Sequence, residues 1–328
     1  MLCVIADITD RKLAEQQLIE HHDMLGAIIE NFPGGVSMFD THLRLTAHNQ
    51  RFRQLLDFPD ALLDNPELSY QDLIRFNAQR GEYGPCDVEQ YVAASVTRAL
   101  QFEPHKFERV RPNGVVLEIH GQPVPGGFET IYIDITERKK IEAQVHQLAF
   151  YDPLTRLPNR RMLGDRLNQT MALSKRSARY AAIMILDLDN FKALNDTLGH
   201  AVGDLLLQQA AKRMKACVRE VDTVARLGGD EFVVLLGDLD TDKAASTTQA
   251  NSIAEKIRAA LAEPYSLTIK HEGKADAVIE HQCTASIGVV VFIDNEGSPE
   301  DFLKWADSAM YRAKDAGSNL IRFFDLNA

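Results

Sequence analysis

The stretch RLGGDEFVVLL at residues 226–236 limits what this chain can fold into more than any other segment. Two glycines precede the carboxylates Asp230 and Glu231, and five apolar residues follow, Phe232, Val233, Val234, Leu235 and Leu236. Residues 223–227 and 231–236 alternate or run apolar as paired strands do. Gly228 and Gly229 between them suit a two-residue hairpin turn, where positive φ is required. Two acids then stand at a hairpin tip, at the edge of what must be core. A buried carboxylate is costly unless it is paired or bound to a cation, so the stretch predicts a cation or a proton to handle.

Another segment supplies a further acid. Residues 181–186, AAIMIL, are continuously apolar, as in a strand buried on both faces, and the run ends at Asp187. Asp189 is placed to cap a helix beginning near Asn190, with Phe191, Lys192, Leu194 and Leu198 along it. The amides of Asn190, Phe191 and Lys192 would point at an anion, aided by the helix dipole. If the hairpin pairs beside this strand, Asp187 and Asp230 converge. Two hard oxygen ligands, completed by substrate phosphates and water, are what Mg²⁺ takes. No His or Cys shares the cluster, so zinc ligands are missing.

Upstream, an internal repeat marks boundaries. VIADITDRKLAEQQL at residues 4–18 and IYIDITERKKIEAQV at residues 131–145 share one layout. In each, a β-branched strand reaches Asp-Ile-Thr, an acid and Arg-Lys follow, and a helical pattern begins. Thr9 and Thr136 are the expected N-caps. Ile141, Val145 and Leu148 fall at coiled-coil spacing, and Ala14, Leu18, His21, Leu25 and Ile28 give a less apolar stripe in the first copy. Because each stripe sits between domains, a parallel dimer helix is expected.

Composition narrows the class. A chain of 328 residues suggests two or three domains. Its net charge of −11 argues against general nucleic-acid binding, though a metal-screened nucleotide stays open. The four cysteines, Cys3, Cys86, Cys217 and Cys283, have no CxxC spacing and suit reduced thiols in the cytoplasm. No apolar run approaches the ~18 residues needed to span a bilayer, and the N-terminus lacks a signal-peptide layout. The parent protein could still be membrane-anchored.

The strand-DIT[DE]RK-helix pattern resembles the exit of a PAS sensory domain. Residues 30–136 are read as one such domain, an antiparallel sheet with flanking helices. GGVSMFDTHLRLTAHNQRFRQLLDFP gives two strands about a turn at Asp40 and Thr41, then a helix. FERVRPNGVVLEIHGQPVPGGFETIYIDIT gives strands joined by a Pro-Asn-Gly turn and a Pro-Gly-Gly loop. Residues 1–29 are expected to be the last strand and signalling helix of an upstream PAS domain, and 137–149 a linker helix. The PAS ligand is not identified: no Cys sits in a flavin-adduct motif, and His42, His48, His105 and His120 are read as surface or strand residues.

RLGGDEF, with LDLDNFKALNDTLGHAVGD and YDPLTRLPNR upstream of it and MYRAKDAGSN downstream, resembles the GGDEF-domain diguanylate cyclases over residues 147–326, and the domain itself is read as 150–328. The resemblance implies an α/β sandwich similar to adenylyl cyclase and polymerase palm domains. It implies condensation of two GTP into cyclic di-GMP and two pyrophosphates, with two Mg²⁺ (or Mn²⁺) per site. By position, Asp187, Asp230 and the Leu188 carbonyl match the metal ligands. Glu231 is expected to assist deprotonation of the attacking 3′-hydroxyl or to share the metals. Lys192 and Lys314 match triphosphate contacts. Asn195 and Asp204 match the guanine-reading pair, and an acid at 204 accepts guanine's N1–H and N2–H₂ together while adenine would leave it unpaired. Arg219 and Asp222 match an inhibitory product site. Ser318 stands where the family usually has Arg or Lys, with Arg322 close enough in sequence to compensate. Since the product joins two nucleotides, a homodimer regulated by the PAS domain is expected. The alternative is a catalytically weak GTP or cyclic di-GMP binding module of a larger bifunctional signalling protein.

Overall fold

A computed structural model of the chain describes residues 9–269, 277–293 and 296–325. The strand expected at residues 2–8 lies outside them. The chain divides into two compact units, one ending at Ala143 and the other beginning at Gln144. Each is built on a sheet of its own.

The first unit opens with helix α1 (Thr9–Glu30), then β1 (Gly35–Asp40) and β2 (Leu45–His48), a hairpin whose turn is fixed by Asp40 Oδ1 accepting from the His42 and Arg44 amides. Four helices follow: α2 (Gln50–Leu56), α3 (Asp60–Leu63), α4 (Tyr70–Gln79) and α5 (Val88–Ala99). The N-terminus of α4 is held by a capping box, in which Ser69 and Asp72 satisfy each other's amides. Strands β3 (His105–Val110), β4 (Val116–Val124) and β5 (Gly127–Asp134) complete an antiparallel five-stranded sheet of order β2-β1-β5-β4-β3. Phe52, Leu56, Leu73 and Leu117 are buried in its core. Only glycine fits at 127, because a Cβ there would lie 1.8 Å from the Phe39 carbonyl oxygen.

Helix α6 (Thr136–Phe150) leaves this sheet. Here the structure corrects one reading. Thr136 is the first residue of the helix, not its N-cap, and α1 likewise includes Thr9. The Thr136 hydroxyl donates to Asp134 Oδ1 at 2.6 Å and accepts from the Val116 amide at 2.9 Å, which ties β5 to β4. Asp134 takes the capping role, its carboxylate accepting from the Thr136 amide at 2.9 Å.

In the second unit, α7 (Arg160–Ser177) precedes β6 (Ala181–Leu188), α8 (Phe191–Leu198), α9 (His200–Cys217), β7 (Thr223–Gly228) and β8 (Glu231–Leu236). Then come α10 (Lys243–Ala262), the hairpin β9 (Tyr265–Ile269) and β10 (Ala277–His281), β11 (Ala285–Phe292), α11 (Pro299–Asp315) and β12 (Ile321–Phe323). The main sheet has order β12-β11-β6-β8-β7 and is antiparallel except at the β11–β12 pair. All eight residues of β6 are buried, because helices cover both faces. Ala182, Met184, Leu186 and Leu188 face the core shared with α8, α9 and α10, while Ala181, Ile183 and Ile185 face that of α7 and α11. This period of two explains why the strand reads as an unbroken apolar run. At Gly288 a Cβ would fall 2.0 Å from the Ala306 carbonyl, so α11 lies directly on the backbone of β11.

Candidate active site

The carboxylate end of β6 meets the turn of the β7–β8 hairpin. Asp187 pairs in register with Glu231, and the Leu188 amide donates to the Asp230 carbonyl at 3.4 Å. Acids from two segments therefore meet at one sheet end, as the apolar patterning implied. The turn itself is displaced by one residue. Gly228 pairs with Glu231, so the two loop residues are Gly229 and Asp230, and a register shift after Arg226 absorbs the difference. Gly229 has φ of 51°.

Asp187 is 8% exposed. Burial pushes its pKa above the ordinary value, and Asp230 and Glu231 add to the rise, while a hydrogen bond from Lys314 opposes it. Lys314 Nζ, from the last turn of α11, lies 2.7 Å from Asp187 Oδ1. Burial lowers the Lys314 pKa, but Asp187 and then Asp230 outweigh it and raise the ammonium above its usual range. The ammonium thus occupies the position of a cation paired with Asp187 and in the field of Asp230.

These donors fit a hard divalent ion. All are oxygens, and no group of three or more Asp, Glu, His or Cys among the described residues closes a ready-made cage. Two carboxylates with water and phosphate making up the shell is the way Mg²⁺ is usually held.

Asp189 departs from expectation. The N-cap of α8 is Asn190, in left-handed conformation with φ of 59° and without a side-chain cap bond. The Asp189 carboxylate is buried and turned elsewhere: it accepts from Thr284 Oγ1 at 2.6 Å, Ser286 Oγ at 2.8 Å and the Asn319 amide at 3.0 Å. It locks the β6–α8 loop to β11 and to the loop after α11. The α8 terminus is left with amides that no side chain caps, and Phe191 can offer only its backbone there, since its ring packs in the core. Lys192 is exposed.

Asn195 on α8 packs against Gly203 of α9, the residue before Asp204. Gly203 faces Asn195 so closely that a Cβ would sit 1.9 Å from Asn195 Oδ1, and that oxygen is buried without a hydrogen-bond partner. Asp204 is exposed. Arg219 and Asp222 lie between α9 and β7, at the far end of β7 from the acidic turn. There Arg219 pairs with Asp222 at 3.2 Å and donates to the Gly237 carbonyl at 3.0 Å. Arg322 sits on β12, opposite Gly288 of β11. Ser318 adopts φ of 63° and donates its amide to the Ala313 and Lys314 carbonyls, closing α11.

Sequence reasoning gave no role to Arg226 and Asp152, which hold the turn. Arg226 Nη1 lies 3.0 Å from both Asp152 oxygens, and its Nε and Nη2 donate to the Gly229 carbonyl at 3.0 and 2.7 Å. An arginine inside an otherwise apolar strand was the available signal, because such a charge needs a partner.

Comparison with known proteins assigns each unit to a family. Residues 149–320 match the family described as diguanylate cyclase, GGDEF domain. The chain belongs to the GGDEF family. Residues 29–143 match the PAS fold. MucR of Pseudomonas aeruginosa, a bifunctional diguanylate cyclase/cyclic di-GMP phosphodiesterase, is 40% identical over 58% of this chain and 26% of its own length. The diguanylate cyclase TpbB of the same species is 33% identical over 76% of this chain and 53% of its own. The solved GGDEF domain of TpbB is 37% identical, covering 54% of this chain and 95% of that one, with a TM-score of 0.47. The GGDEF protein described here therefore spans between about a quarter and a half of these two curated relatives. No helix among the described residues is long and apolar enough to cross a membrane.

Proposed function

We propose that the protein is a diguanylate cyclase that joins two GTP into cyclic di-GMP with release of two pyrophosphates. The observation that carries this reading is the convergence of Asp187, Asp230 and Glu231 at the end of β6, with Lys314 paired to Asp187. Asp187, Asp230 and the Leu188 carbonyl would hold Mg²⁺ or Mn²⁺. When bound, the metal neutralises phosphate charge and makes the α-phosphorus easier to attack.

The protein's own groups do the rest. Lys314 leaves Asp187 for the triphosphate, exchanging one anion for another, and Lys192 with the open α8 amides adds donors at the same end. Asn195 and Asp204 read guanine, and the unpartnered Asn195 Oδ1 supports that role because a buried acceptor without a donor is costly. Glu231 assists loss of the 3′-hydroxyl proton. The second unit of each chain binds one nucleotide, so two chains must face each other for each hydroxyl to reach the other's α-phosphate. Arg219, freed from Asp222, would bind phosphate and a guanine edge of the product in a forked manner and give feedback inhibition.

Incubation with GTP and Mg²⁺ followed by chromatography should show cyclic di-GMP. Asp230→Ala should lower product by at least about 100-fold with the fold intact, as loss of a metal ligand would. Bound GTP without product from the native chain would instead identify a regulatory nucleotide-binding module, and an active Asp230→Ala would remove the acids from the chemistry.

A further inference from the structure

Within the first unit, a cavity of about 320 Å³ lies between the sheet and helices α4 and α5. That is at the lower end of the range for small-molecule sites. Its wall is largely aromatic. Phe52, Phe58 and Phe128 line it, and so do Tyr83 and Tyr91, whose rings stack 4.4 Å apart at 20°. Such a wall favours a flat, apolar body.

Polar groups in the wall are left unanswered. Asn77 is 3% exposed; its Nδ2 donates to the Tyr83 hydroxyl at 3.3 Å, but its Oδ1 has no partner. Arg109 Nε is buried and also unpartnered, with the guanidinium 5.4 Å from the centre of the Tyr83 ring. One group is an acceptor that lacks a donor, the other a donor that lacks an acceptor. Both lie against Tyr83, at its hydroxyl and at its ring, so a molecule meeting both spans about one aromatic ring. Orphaned buried groups of this kind each cost on the order of 1–3 kcal/mol when nothing answers them.

The charge in the lining settles which end of a ligand is anionic. Arg98, which is exposed to solvent, lines the cavity as well, and among the described residues neither Arg98 nor Arg109 forms an ion pair. Glu103 and His105 also line the cavity, and the Glu103 backbone carbonyl is 3.2 Å from His105 Nδ1. Two guanidiniums against one carboxylate leave a cationic excess in a protein of net charge −11. Burial keeps the phenols of Tyr83 and Tyr132 above their usual range and hence neutral donors.

We propose that the first unit binds a small aromatic carboxylic acid that also carries a hydroxyl or N–H. The carboxylate sits on Arg109 and Arg98, the ring lies along the tyrosine wall, and the hydroxyl or N–H donates to Asn77 Oδ1. This concerns binding alone and stands independently of the cyclase reading.

The test is isothermal titration of the full chain with two matched pairs, 4-hydroxybenzoate against 4-hydroxybenzamide and indole-3-acetate against indole-3-acetamide. Within each pair shape is conserved, while the negative charge is lost and one acceptor oxygen becomes an NH₂ donor. At least one acid should bind in the micromolar range and its amide at least about tenfold more weakly, the difference expected of a charge-assisted contact. Arg109→Gln should weaken the acid by a similar factor and leave the amide unchanged. The proposal is overturned if neither acid binds at millimolar concentration, or if acids and amides bind alike. Should Arg109→Gln fail to fold, the acid–amide comparison on the native chain decides by itself.

Discussion

Asp187 is where function and stability pull in opposite directions. Burial raises its pKa first, and Asp230 and Glu231 raise it further. A carboxylate whose folded pKa exceeds its unfolded value stabilises the fold most below the unfolded value, and that contribution is lost as pH rises through the folded value. At neutral pH, ionised Asp187 is therefore a net cost to the ligand-free protein, one that the proposed metal would offset. Asp187→Asn is expected to raise the ligand-free Tm at pH 7 by about 2–4 °C, as roughly 1 kcal/mol would in a domain of this size. Lys314 can then reach water, being about a third exposed. The advantage should shrink as pH falls from about 7 to below about 4, where the native carboxylate is itself protonated. Adding Mg²⁺ with GTP should stabilise the native protein and not the variant, since only a state that binds ligand gains from it. Differential scanning calorimetry across that pH range checks all three. A variant less stable than the native chain at every pH would make Asp187 merely the structural partner of Lys314.

Between elements, the site depends on clamps that cross long stretches of sequence. Arg226 on β7 reaches back to Asp152 and forward to the Gly229 carbonyl, so one side chain fixes both the loop before α7 and the turn that presents Asp230. Both partners are mostly buried, at 11% and 16% side-chain exposure, which places the pair beyond the weak surface class. A double-mutant cycle with Arg226→Ala and Asp152→Ala, followed by urea unfolding, should give a coupling of about 1–3 kcal/mol. Arg226→Lys should not restore it, because a single ammonium cannot hold the carboxylate and the turn carbonyl with a fork of donors. Additive single effects would show that the turn holds itself. These clamps also explain what could be read in advance. The β6 run and the β7–β8 hairpin were legible because local pattern alone specifies them. The role of Asp189 was not, since its partners Thr284 and Ser286 lie 95 and 97 residues away and nothing near Asp189 signals them. The one-residue displacement of the turn was hidden for a related reason: glycine pairs advertise positive φ but not which of them stays in the ladder. The cavity of the first unit was illegible for a third reason, its wall being assembled from four strands and three helices.

On the scale of the whole molecule, the chemistry proposed here cannot be completed by one chain. On the proposed reading, one acidic turn and the Asn195–Asp204 pair serve one nucleotide, and the product has two. What joins two chains should then be visible as apolar surface that a single chain leaves in water. Ile141, Val145 and Leu148 on α6 are 57%, 58% and 71% exposed, at spacings of four and three, and α6 has no buried residue at all. Leu18, Leu25 and Ile28 on α1 are also more than half exposed. A helix carrying such a seam against solvent gains by pairing with its copy. Because α6 runs directly into the second unit, pairing there also raises the effective concentration of one bound nucleotide near the other, an effect that can reach many orders of magnitude when geometry is favourable. Ile141→Glu combined with Leu148→Glu should therefore shift the protein from dimer to monomer in sedimentation velocity and lower the cyclase rate by at least about 100-fold, with no change in the melting of the separate units. The residual rate should rise with the square of protein concentration, since two free chains must then meet. A double variant that remains dimeric and fully active would mean that the α6 seam serves some other contact, and that the two nucleotides are brought together elsewhere on the second unit.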